Sequence, residues 1–244
     1  MKRVRIILAC ILCLIAVTST AVGVRAAEKP APTNTCTSSQ PFCYHGQFSE
    51  ALEQLDAAAV PKIATPAWLV AQQTAPAAGA TVVTYTVATR GVVTADTNEF
   101  AALFNETLNS SEGWSRLGVR FEQVAAGGRF TAWLSEASQM PTFSASGCDP
   151  TLSCRVGNDV VINETRWLNG SDAWNAAGGS LLDYRRMVVN HETGHWLGHG
   201  HRSCGGAGSP APVMQQQSVD MQGCTPNSWP LAGEMYAPNL GIRS

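Results

Sequence analysis

Four of the five histidines in the chain fall within eleven positions, in the stretch HETGHWLGHGH over residues 191–201. What precedes them reads as a helix. Ser180 and Asp183 form a capping box, and Leu181, Tyr184, Val188, His191 and His195 recur at intervals of three and four, so they share one stripe that buries the helix. On that helix His191 and His195 stand one turn apart, about 6 Å along the axis, close enough for two imidazole nitrogens to meet one ion at roughly 2.0 to 2.1 Å. Glu192 is rotated off the stripe, where its carboxylate can reach a water on the same ion without occupying a ligand position. An unbroken helix would put His199 about 12 Å along the axis from His191, too far to share that ion. A third histidine therefore requires a bend, which Gly198 and Gly200 supply. After the turn either His199 or His201 can swing back, and spacing leaves both open.

Together His191, Glu192, His195, Gly198 and His201 match H-E-x-x-H-x-x-G-x-x-H, which resembles the signature of the metzincin zinc proteases. Five fixed residues of uncommon types coincide by chance with a probability on the order of 10⁻⁵, which disfavours accident. The resemblance implies Zn²⁺ as cofactor, His191, His195 and His201 as its ligands, Glu192 as the general base of peptide hydrolysis, and a methionine in a tight turn below the metal. Met214, in APVMQQQS, takes that place, with a plain core methionine as its alternative. Over about 81–230 the chain is similar to the exported bacterial domain-of-unknown-function family 3152, on VINETRWLNG, LLDYRRMVVNHETGHWLGHGH, APVMQQQ and GCTPNSWP. That similarity implies an α+β, zincin-like fold: a mixed twisted sheet, an active-site helix and a short C-terminal subdomain. It implies a secreted or cell-envelope location and brings no substrate. One departure is Gln216, which stands where some metzincins place a tyrosine that stabilises the oxyanion, so that role has no residue here.

The rest of the chain sets the context. Its 45% hydrophobic residues and seven tryptophans suffice for a packed core. Residues 1–26 read as a signal peptide, with Lys2, Arg3 and Arg5 ahead of an apolar run and a cleavage site at residues 24–26; retention as a membrane anchor is the alternative. The apolar run before Cys10 is too short for a lipoprotein signal. Without this segment 12 basic residues face 18 acidic ones, a balance of −6 with no footprint for nucleic acid. Beyond Cys10 and Cys13 six cysteines remain, and proximity pairs Cys36 with Cys43, Cys148 with Cys154 and Cys204 with Cys224 as disulfides of an oxidising compartment. None of their spacings suits a zinc ribbon.

Residues 27–80 read as a stalk or pro-segment with a short helix at 49–60; His45 is an exposed stalk residue, and Cys36 pairs with Cys43 in preference to plugging a metal site. The hydrolase domain spans 81–244. Strands are expected at 81–90, 119–124, 129–134 and 159–163, and a helix at 96–109 with a capping box of Asp96 and Glu99. A loop holds Cys148 and Cys154. Trp196 and Leu197 are core residues behind the ligands, and Asn190 is either a donor to the site or a surface amide. The glycosylation pattern at Asn105, Asn109, Asn163 and Asn169 is common by chance and is discounted. Two functions fit: a metallopeptidase acting on protein or cell-wall peptide as a monomer, or a zinc-stabilised envelope module that binds without cleaving. Glu192 favours the first, because a structural site needs no general base and closes its fourth position with a protein ligand.

Overall fold

The computed structural model describes residues 80–243. The signal segment 1–26, the stalk up to residue 79 with its helix candidate at 49–60, His45 and the Cys36–Cys43 pairing lie outside the described residues.

Five strands form one sheet: β1 (Thr81–Arg90), β2 (Val119–Gln123), β3 (Phe130–Ser135), β4 (Cys154–Val156) and β5 (Asp159–Asn163), in the order β2-β1-β3-β5-β4. All neighbours run parallel except β4, which pairs antiparallel with β5 at the edge. With α1 (Thr97–Asn109), α2 (Glu164–Asn169), α3 (Asp172–Ala176) and α4 (Leu181–Leu197), the fold is α+β with a mixed sheet. The long strands and both long helices lie where their patterning places them. β4, α2 and α3 were not anticipated: β4 has three residues, and α2 and α3, with six and five, span less than two helical turns, too little to display a helical period.

Strand alternation sorts the two faces of the sheet. Tyr85, Phe121, Phe130, Leu134 and Ile162 turn to one side and pack with Phe100, Phe104 and Leu108 of α1 and with α4 in a single core. The opposite side is covered at one end by Met140, Phe143, Val156 and the Cys148–Cys154 disulfide, gathered around Val161 and Trp133. The second disulfide joins Cys204 to Cys224. Both pairings follow the expectation from proximity. No helix among the described residues is long and apolar enough to cross a membrane.

Both caps differ in detail from a reciprocal box. Asp96 accepts from the N–H groups of Asn98 and Glu99, but the Glu99 carboxylate pairs with Arg185 of α4 at 2.8 Å instead of returning to the cap. Ser180 accepts from the Asp183 N–H at 3.0 Å and donates its hydroxyl to the Asp183 carboxylate at 2.7 Å. The stripe on α4 also needs correction. Leu181 is exposed, whereas ten of the eleven residues from Met187 to Leu197 are buried, His195 alone being partly open. The amphipathic pattern fades because residues 198–243 pack over the side that an isolated surface helix would show to water.

Candidate metal centre

α4 ends as the glycine requires. Gly198 takes φ 107° and donates to the His195 carbonyl at 3.2 Å, while the His199 N–H reaches back to the Gly194 carbonyl at 2.9 Å, a Schellman turn. A Cβ at Gly198 would lie 3.0 Å from Pro238. Gly200 keeps an ordinary φ, so the bend belongs to Gly198 alone, contrary to the expectation that both glycines supply it.

This turn brings His201, not His199, back to the helix. His191, His195 and His201 each offer a nitrogen, and all three nitrogens lie within 4.8 Å of one another. The Nε2 atoms of His195 and His201 are 3.1 Å apart. Tetrahedral ligation at 2.0 to 2.1 Å places ligand nitrogens about 3.3 Å apart, a spacing that the His195–His201 pair meets while the set as a whole spreads to 4.8 Å, so the three rings could hold a metal ion. Backbone carbonyls set the orientation: His191 Nδ1 meets the Val213 carbonyl at 2.8 Å and His195 Nδ1 the His199 carbonyl at 2.9 Å. With Nδ1–H donated, each Nε2 keeps its lone pair for the centre. Burial lowers the pKa of all three rings, that of His191 to about 3, with its histidine neighbours adding to the effect, so the cluster is neutral near pH 7 and ready to ligate.

His199 contributes through its main chain. Its ring is buried between Trp114 and Tyr236, with centroids 4.9 and 4.2 Å away, and its Nε2 contacts the Tyr236 carbonyl at 2.7 Å. It therefore supplies no fourth ligand.

Glu192 is buried, and burial pushes its carboxyl up to about 8, opposed by the charge of Arg155. It lines, with the three histidines, a cavity of about 390 Å³ that also touches Met187, Gln216 and Val219. A carboxyl of that pKa beside three imidazoles can exchange a proton near neutral pH.

Below the helix lies Met214, fully buried. A Cβ at Gly194, between the first two histidines, would overlap its Sδ and come 3.0 Å from the Trp114 ring, so only glycine lets this turn approach. The turn is held from the far end of the chain. Glu234, 1% exposed, accepts from the N–H groups of Val213, Met214 and Leu231 at 3.0, 2.9 and 2.8 Å. Glu234 thus fixes the Val213 carbonyl that orients His191.

A family model described as "Protein of unknown function (DUF3152)" matches residues 55–231. The chain belongs to that family. No curated protein matches it. The matched span holds the histidines, Glu192 and Met214 and stops three residues before Glu234.

Several supporting residues escape the sequence reading. Asn190 is neither a donor to the site nor a surface amide: it is fully buried, its Nδ2 donates to the Ser228 carbonyl at 2.8 Å, and its own carbonyl accepts from Trp114 Nε1 at 3.0 Å. Gln217 is buried too, clasping Asn227 through its amide at 3.0 and 2.8 Å. For Glu234 the one available signal was an acid isolated in the weakly polar run LAGEMYAP.

Proposed function

We propose that this chain is a zinc-dependent peptidase of metzincin type, exported to the cell envelope or beyond and acting on protein or peptide. The observation that carries the reading is the conjunction of three clustered imidazoles, two of them oriented by backbone carbonyls, with a buried, uncommitted carboxyl group on one cavity wall. Two further features support it. Met214 packs under Gly194, where the methionine of such a turn is expected. The two disulfides favour an oxidising compartment.

His191, His195 and His201 would hold the ion. A bound zinc lowers the pKa of water and polarises a carbonyl oxygen. With a cation held beside it, the raised pKa of Glu192 would fall and the group would ionise, and its carboxylate would take the proton of the attacking water and return it to the departing amine. Val213 and His199 keep the rings of His191 and His195 in place through their carbonyls.

The test is a chelator-sensitive assay on a broad peptide library alongside metal analysis. The unsubstituted protein should carry one zinc and cleave; Glu192→Gln should retain the zinc and lose turnover by a factor of at least about 10². Cleavage persisting in that variant removes Glu192 from the mechanism. Zinc binding with no turnover by the unsubstituted protein, coupled to unfolding by chelator, points instead to a scaffold.

A further inference from the structure

One cation on the cavity wall has no part in the chemistry above. Arg155 stands on β4 between Cys154 and Val156, both of which turn to the core behind the sheet, so alternation directs Arg155 toward α4. There its Nη2 donates to the His195 carbonyl at 2.7 Å. Its Nε is buried without an acceptor, and Nη1 has no hydrogen-bond partner among the described residues. No carboxylate among them lies within ion-pair distance of it. Glu192 feels its charge only through space. Asp149, the other acid on the cavity wall, is committed to the Thr151 N–H at 2.7 Å.

A guanidinium so placed has lost much of its hydration and has met only part of its bonding capacity. A planar anion reaching Nη1 from the cavity side would supply the bonds this edge of the guanidinium lacks. We propose that Arg155 binds a carboxylate of the ligand lying in this cavity, making the protein selective for peptides that present an acidic side chain or a free C-terminus there. The inference rests on the cavity being the substrate cleft. A purely structural role, tying β4 to the end of α4 through the His195 carbonyl, is the competing account; Arg155→Gln, whose shorter amide falls short of that carbonyl, should on that account lower stability and weaken charged and neutral ligands alike, with no carboxylate preference to lose.

The experiment measures binding without requiring turnover. Zinc-loaded Glu192→Gln protein, with and without Arg155→Gln, is titrated calorimetrically with alanine pentapeptides. One set carries Glu or Gln at each position in turn with an amidated end, and one pair differs only in a free or amidated C-terminus. With Arg155 present, one carboxylate-bearing peptide should bind roughly tenfold more tightly than its neutral twin. With glutamine there, the preference should fall below about twofold at unchanged zinc content. The set that shows the effect identifies the source of the carboxylate. Arg155→Lys, which keeps the charge without the fork, should retain a smaller preference.

Absence of binding, equal affinity for both twins in the protein that keeps Arg155 or in its Arg155→Lys variant, or a preference that survives Arg155→Gln overturns the proposal. Carboxylate preference without cleavage by the unsubstituted protein leaves this site standing and removes the peptidase; cleavage without the preference does the reverse.

Discussion

His199 and His201 carry the same side chain two positions apart, yet one faces the core and the other faces its fellow histidines. Replacing them should separate folding from metal binding. His201→Ala should lose tightly held zinc with little change in stability of the metal-free protein. His199→Ala should keep stoichiometric zinc while losing about 2 to 3 kcal/mol of stability, as ring packing against Trp114 and Tyr236 disappears. Metal analysis and urea unfolding read the two effects, and zinc loss confined to the His199 variant would reverse the assignment. Glu234→Ala should weaken zinc roughly 10- to 100-fold, measured by chelator competition, because the Val213 carbonyl loses its anchorage. Undiminished affinity would show that His191 orients itself unaided. The pairing of His191 with His195 was legible in the sequence because side chains that meet across one helical turn must obey its pitch. Glu234 was not, since its bonds span about twenty residues of irregular chain and obey no period.

Among the elements, α4 shows how far patterning reaches. Its start at Ser180 and its end at Gly198 are written in residue types whose backbone preferences are local. Its burial on nearly every side is not, because that depends on where residues 198–243 come to rest. Gly194 illustrates the difference: by propensity alone Gly194→Ala should stabilise the helix by about 1 kcal/mol. Overlap with Met214 and Trp114 should outweigh that gain and leave the protein less stable by about 1 to 3 kcal/mol. Urea unfolding decides the sign, and a stabilised variant would mean that Met214 does not sit beneath the helix. The strands of the parallel core were legible from their β-branched and aromatic runs. β4 stayed hidden because its three residues acquire strand geometry only by pairing with β5, beside a disulfide that closes the same loop.

At the scale of the whole molecule the main apolar core joins the sheet to α1 and α4 through contacts that require no ion. Chelation should therefore leave the far-ultraviolet circular dichroism at 25 °C unchanged and lower the melting temperature only by the mass-action contribution of the lost ligand. Collapse of the helical signal on adding chelator would show instead that metal organises the fold. The α+β class and the strand order in sequence were legible, but the sheet order was not, since which parallel strands adjoin is decided by helix packing across the layer. Glu234 also imposes an order on assembly. A growing chain that has emerged only to residue 230 already possesses the long helix, the glycine bend and all three imidazoles, but not the acid that cinches the methionine turn. The histidine cluster thus gains its full backbone support only once residue 234 has joined the fold.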